Sequence, residues 1–329
     1  MTAADPLAPA PAAPAPLTPA EAARLPRRIT LMSVGVALVL VALKAGAWVM
    51  SGSVAVLASL ADSAIDLVAS LTTLFAVRYA AAPPDAEHRF GHGKAEAFAA
   101  LMQAGLVFAS AALVGREAIG RLISPEPMAA GGWAMGVMAV SILLTSGLVY
   151  AQTQVLKKAR SVAVTGDRAH YLSDLGSNLA ALIGVAGAFL LGIVWLDAAA
   201  GLVVCLLLLW AAIGVLREAA DQLMDHELPP QDRAEIVALV LKDPQVSDVH
   251  QLRTRASGPY VHIQMHLDLD PALTLEAAHG IILEAEQRLL GRYPAADILI
   301  HADPSGRAGP HAGAFSGRHD AADRPLEGS

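Results

Sequence analysis

Charge is what this chain has least of. Only 16% of its 329 residues are Asp, Glu, Lys or Arg, where a soluble domain carries about 25%. That shortage excludes a disordered chain and argues against an ordinary cytosolic enzyme. Cysteine is nearly absent too. The single Cys205 excludes a disulfide framework and a cysteine-based zinc site. Aromatic residues make up 5%, so the apolar mass is aliphatic. The net charge of −7 argues against nucleic acid as a partner. What is abundant is apolar surface, 55% of residues, and membrane lipid is the medium that would accept it.

Residues 1–25 are rich in Pro and Ala, with prolines from Pro6 to Pro19. They read as a disordered arm rather than a signal peptide, because no Lys/Arg-rich start precedes an apolar stretch. Residues 26–226 hold six apolar segments of membrane-spanning length. They run from about Ile29 to Met50, Val54 to Ala80, Ala95 to Ile123, Trp133 to Leu156, Ala163 to Ile193 and Ala198 to Leu223. Breakers separate them: Gly52, Pro83-Pro84, Pro125 with Pro127, Gly192, and Pro229-Pro230. Basic residues gather before the first span and around the second and fourth loops. This predicts a multi-pass protein with both termini in the cytoplasm.

Beyond residue 226 the pattern changes. Residues 232–241 read as an amphipathic helix, 246–256 and 260–270 as strands, 275–290 as a second helix and 296–301 as a third strand. The second strand alternates Val261, Ile263, Met265, Leu267 and Leu269 with His262, Gln264, His266 and Asp268. The expected fold is thus a six-helix transmembrane domain followed, over 227–304, by a small α+β cytoplasmic domain. Residues 305–329 read as a disordered tail.

Ionisable groups inside a membrane span are costly and mark function. Asp62 and Asp66 lie four residues apart in the second span, and His170 and Asp174 four apart in the fifth. That spacing puts each pair on one helix face. Asp66 is twelve residues from Arg78 and Asp174 fourteen from Arg160, so each sits about 18–21 Å from the inner surface. Two helices offering two ligands each make a four-coordinate site for a divalent transition metal. The competing reading is buried carboxylates satisfied by neighbours such as Ser63 or Asn178. Lys44, near the outer end of the first span, is expected to snorkel outward. Asp85, His88 and His92 in the second loop form an N/O set, though loop histidines on spacing alone are more often solvated. His250, His262, His266, His279 and His301, with Asp303 close behind, suggest metal in a domain without cysteine. An ordinary polar surface is the alternative.

The DSAID pair, the HRFGHGKAEA loop, the HYLSD pair and the RTRASGP, IQMHLDLD and ILIHADP segments together resemble the cation diffusion facilitator family. Within it, the likeness is greatest to bacterial members that export zinc and ferrous iron. The resemblance spans about Arg28 to Pro304 and implies a homodimer in the bacterial inner membrane. It implies a transport site of Asp62, Asp66, His170 and Asp174, and a loop metal site of Asp85, His88 and His92. It further implies a cytoplasmic two-metal site of His250, His266, His279, His301 and Asp303, with Asp303 as the bridge. Lys94 and Asp225 match a charge pair that locks the protomers where membrane and soluble parts meet. His262 has no counterpart and is left as a surface residue.

The expected function is efflux of Zn2+, with Fe2+, Cd2+ and Co2+ as further substrates, in exchange for protons. An imidazole titrates near about 6.5, and metal needs its neutral form, so proton and cation compete for His170. A membrane-tethered metal sensor without transport is the alternative. A metalloenzyme is disfavoured: no HExxH motif occurs, and four protein ligands leave no open position for a catalytic water.

Overall fold

The computed structural model describes residues 19–51, 54–123, 132–186 and 195–307. Gly52, Ser53, Pro125, Pro127 and Gly192, the arm up to residue 18 and the tail from 308 lie outside the described residues. Six long helices come first: α1 (Pro19–Ser51), α2 (Val54–Ala80), α3 (Ala95–Ile123), α4 (Gly132–Leu156), α5 (Val162–Ala186) and α6 (Trp195–Leu223). Then follow α7 (Pro230–Val240), β1 (Val246–Ser257), β2 (Tyr260–Leu269), α8 (Leu275–Arg292) and β3 (Ala296–Pro304).

Helix α1 begins inside the stretch expected to be an unstructured arm. Proline is tolerated in a helix's first turn, where its missing N–H is not needed. Glu21 in that turn suits the positive helix end.

Among the described residues, α1, α2, α3, α4 and α6 are long and apolar enough to cross a membrane. Helix α5 falls short because its first half carries Asp167, Arg168, His170 and Asp174. Its expected extension to Ile193 lies outside the described residues. It is nonetheless packed into the bundle: Ala163 and Val164 are fully buried. The outward surface of the bundle is apolar, with Val49, Phe75, Leu143 and Trp210 all exposed. A protein in water would not present such a surface; one in lipid would.

Inside the bundle, small residues let backbones approach closely. Ala97, Ala100, Ala104 and Ala111 on α3 pack with Ala169 on α5 and with Ala212 and Ala219 on α6. Ser161 caps α5: its Oγ accepts from the backbone N–H of Val164 at 3.3 Å and donates to Glu96 of α3 at 2.6 Å.

The α+β domain is a three-stranded sheet in the order β1-β2-β3. β1 and β2 are antiparallel, while α8 crosses over to place β3 parallel to β2. Ile263, Met265, Leu267 and Leu269 of β2 face the core, where they meet Ile236 and Val240 of α7 and Ile281, Ala285 and Leu289 of α8. Burying each such aliphatic side chain contributes about 1.5–3 kcal/mol. The alternating pattern of β2 therefore fixes which face is left for polar side chains.

The two parts meet at one end of the bundle. Arg160, between α4 and α5, pairs with Asp232 of α7 at 3.3 Å. Lys94 pairs with Asp225 at 2.9 Å and donates to the Leu223 carbonyl at 3.2 Å. Asp225 also meets Arg255 of β1 at 3.2 Å. Burial alone would raise the Asp225 carboxyl, but the Lys94 hydrogen bond and the two cationic neighbours outweigh it and hold it below its ordinary value. The expected charge pair is thus closed within this one chain.

Beside it, Gly93 abuts the turn between β1 and β2. A Cβ on Gly93 would lie 2.1 Å from the Ser257 carbonyl oxygen. Gly258, at φ +56°, faces the Gly93 backbone in return. Gly93→Ala should therefore force bundle and sheet apart, costing about 1–3 kcal/mol as overpacking does. A lowered thermal midpoint of the full chain checks this; an unchanged midpoint would mean that the two backbones do not touch.

Candidate metal centres

The intramembrane site forms where α2 and α5 face each other. His170 Nε2 lies 2.9 Å from Asp66 Oδ1 and 3.9 Å from Asp174 Oδ2. Ligand atoms of these three residues all lie within 4.8 Å of one another. Asp66 and His170 are buried, at 7% and 3% exposure. His170 Nδ1 is buried with no hydrogen-bond partner among the described residues.

Asp62 is placed differently from the other three. It lies one turn along α2 from Asp66, is exposed, and is not in the close cluster. Four residues of helix separate the two carboxylates by about 6 Å along the axis. The structure thus brings together three of the four residues expected in this site.

Ser63, considered as a partner for the carboxylates, instead accepts from Lys44 Nζ at 2.6 Å. Lys44 also donates to the Ser59 carbonyl at 3.1 Å. This corrects the expectation that Lys44 snorkels outward: its ammonium turns inward onto α2, where hydroxyl and carbonyl oxygens receive it.

The second loop gathers Asp85, His88 and His92 into one cluster. His88 Nδ1 and His92 Nε2 each lie 3.2 Å from an Asp85 oxygen, and the two imidazole rings are 4.6 Å apart. The turn is built by Asp85 itself, whose Oδ1 accepts from the backbone N–H of His88 at 2.6 Å and of Glu87 at 2.9 Å. The His88 N–H, chiefly, holds the Asp85 carboxyl below its ordinary value. Gly91, at φ +79°, lets the chain double back so that His92 returns to Asp85.

In the α+β domain, Asp303 is the focus. It is 4% exposed. Its carboxylate lies 2.9 Å from His266 Nδ1, 3.3 Å from His250 Nε2 and 3.3 Å from His301 Nε2. Three strands meet here: His250 pairs with His266 across β1 and β2, and His266 with His301 across β2 and β3. A register shift after His250, with Gln251 at φ 51°, breaks the ladder beside it, as a bulge near a functional site does. A shared carboxylate among three imidazoles is a donor set suited to zinc or a similar borderline ion.

A second cluster joins His250 to Asp248 and Asp268. Sequence reasoning missed both aspartates as candidate ligands, although Asp268 lies on the polar face that the alternation of β2 had marked. His279 sits exposed on α8 and joins none of the clusters found among the described residues.

His262, read from sequence as a surface residue, is 6% exposed. Its Nδ1 lies 3.0 Å from Asp297 Oδ2, and Phe90 of the second loop packs edge-on against its ring. Phe90 also takes the Arg255 guanidinium over its face at 4.9 Å. The alternation of β2 assigned His262 to the polar face correctly. What covers that face comes from the membrane domain, which strand periodicity alone does not reveal.

Residues 30–224 match the cation efflux transmembrane domain, and residues 228–305 match the cytoplasmic domain of cation efflux proteins. A cation-efflux pump FieF of Serratia proteamaculans is 42% identical over 282 residues, covering 86% of this chain and 94% of its own. The cation-efflux pump FieF of Salmonella arizonae is 41% identical over 286 residues, covering 85% and 93%. Among solved structures, CzrB in its zinc form is 30% identical over 25% of this chain and 96% of its own, with a TM-score of 0.24. The metal-bound C-terminal domain of the CzcD transporter from Thermotoga maritima is 23% identical over 25% and 100%, with a TM-score of 0.23. Both family domains follow one another in order along nearly the whole described chain, and the chain belongs to the cation efflux, or cation diffusion facilitator, family of membrane transporters.

Proposed function

We propose that the chain exports divalent transition-metal cations in exchange for protons. Zinc is the foremost substrate, with ferrous iron, cadmium and cobalt alongside. The observation that carries this reading is the buried Asp66–His170–Asp174 cluster between α2 and α5, with His170 Nε2 at 2.9 and 3.9 Å from the two carboxylates. Two carboxylates and an imidazole brought together away from water repel or bind protons unless a cation neutralises them. A dication needs both carboxylates ionised and the imidazole neutral, so its entry displaces protons and its exit readmits them. Asp62, one turn away, would complete the shell as the site changes the side it faces.

The same reading places the protein as a homodimer in a bacterial inner membrane, with both termini in the cytoplasm. The end of the bundle that meets the α+β domain would then be the cytoplasmic end. In that domain His250, His266, His301 and Asp303 would hold metal whose charge offsets the Asp303 carboxylate, and His279 would have to move inward to join them. Asp85, His88 and His92 would hold a further ion at the loop. The Lys94–Asp225 pair would keep the joint of each protomer closed as the dimer works.

The test uses the full chain in proteoliposomes with a pH-sensitive dye inside and a metal-sensitive dye alongside. Added zinc should enter while protons leave. Zinc flux without proton movement would overturn the exchange, and no zinc flux would leave the sensor reading in its place.

A further inference from the structure

Beside the candidate transport site lies a fully buried polar cluster that the scheme above does not use. At its centre is Asp167, on α5 one turn before His170 and with no exposed surface. Its Oδ2 accepts from Ser33 Oγ of α1 at 2.7 Å and from Gln152 Nε2 of α4 at 2.9 Å. Its Oδ1 accepts from Gln103 Nε2 of α3 at 3.4 Å and from Ser70 Oγ of α2 at 3.5 Å. One carboxylate therefore gathers donors from four different helices. Gln103 Nε2 also reaches Thr73 Oγ1 of α2 at 2.9 Å. Tyr171, on the next turn of α5, bonds Ser70 Oγ at 2.8 Å and donates to the Ser33 carbonyl at 3.2 Å. Ser33, Ser70, Thr73, Gln103 and Gln152 have no exposed surface. Close packing seals the gaps: a Cβ on Gly166 would lie 3.0 Å from the Gln103 side chain and 3.1 Å from the Ala100 backbone.

The position of this cluster gives it meaning. The N-terminal end of α5 adjoins Arg160, which is tied to Asp232 of the α+β domain. Asp167 thus lies between His170 and the domain-side end of the bundle. Its hydrogen bonds draw α1 to α4 together around α5 there. Inside a membrane each of these polar atoms would be costly if released singly. The cluster is therefore made or broken as a unit, which suits a two-state element better than a continuous hinge.

We propose that Asp167 is a positioning residue for transport: its hydrogen bonds to Ser33, Ser70, Gln103 and Gln152 clasp five helices and close the site toward the α+β domain, and releasing the clasp opens it. This rests on the transport reading of the Asp66–His170–Asp174 site. Asp167 touches no ion; it sets the balance between the site's two open states. A ligand in one state gains nothing from a protein that cannot reach the other, so losing the clasp lowers turnover more than apparent affinity.

The experiment measures zinc uptake kinetics of the full chain in proteoliposomes for the wild type, Asp167→Asn and Ser33→Ala, normalised to inserted protein. Asp167→Asn places an amide donor among four donors. Ser33→Ala removes the shortest bond and keeps the carboxylate. For Asp167→Asn, kcat should fall on the order of 10- to 100-fold, with KM changed by less than about threefold. Ser33→Ala should move kcat the same way by a smaller factor. Unchanged kcat per inserted molecule in both variants overturns the proposal, whatever their yields. So does a rise in KM at unchanged kcat, which would make Asp167 part of the binding shell. If Asp167→Asn does not insert, Ser33→Ala decides by the same split. Absence of zinc uptake by the wild type would instead overturn the transport reading on which the clasp rests.

Discussion

In vesicles carrying Asp66→Ala, zinc-driven proton movement should fall at least about 100-fold below the wild type. The expectation follows from what the carboxylate does in the site. Asp66 is the residue His170 Nε2 faces at 2.9 Å, and it belongs to the cluster that places donors from α2 and α5 within reach of one ion. Its loss removes a charged ligand and leaves the His170 ring buried without its carboxylate. Even an outer-shell partner of a metal ligand changes affinity about 10- to 100-fold when removed, so a direct ligand should cost more. Helix α2 should persist, because alanine is the best helix former and, among the described residues, Asp66 bonds another helix only through His170. Circular dichroism and the mass of the purified protein should stay at their wild-type values while flux disappears. Flux within about threefold of the wild type would show that the ion takes another path.

The second large effect is expected at Asp303. Asp303→Ala should lower the affinity of the α+β domain for zinc at least about 100-fold, read by calorimetry on the full chain at neutral pH. Asp303 sits against three imidazoles contributed by β1, β2 and β3. No other carboxylate among the described residues stands against all three. Asp268 lies 3.9 Å from His250 and can support one ion only at the edge of the cluster. The intramembrane site is built from α2 and α5, so uptake should continue in this variant. Unchanged calorimetric affinity would move the metal site elsewhere. Loss of all uptake would mean that the domain is needed for the transport step itself.

The clustering of Asp66, His170 and Asp174 was legible because its signal is local. Two charged residues four apart in an apolar helix stand out against their surroundings, and one helix turn brings them to one face. The α+β domain was legible for a similar reason: the strict alternation of β2 declares its own core. The Asp167 cluster has no such signature. Ser33, Ser70, Gln103 and Gln152 are single polar residues on four helices, and only the packing of the bundle joins them. Lys44 misled because a long cation near a helix end ordinarily reaches for water, whereas here α2 offers Ser63 and Ser59. His262 misled because strand periodicity specifies a face but not what covers it. Asp62 shows what spacing leaves open: it shares a helix face with Asp66 yet lies outside the close cluster that Asp66 forms with His170 and Asp174.

At Gly93 the turn that leads into the third helix rests directly on the peptide of Ser257, with no side chain of its own between. A cushion of methylenes would absorb a small tilt of the strands; bare main chain against main chain transmits it. Any rocking of the sheet is therefore handed undamped to the helix that carries Glu96 and Gln103, making this spot a fulcrum rather than a hinge.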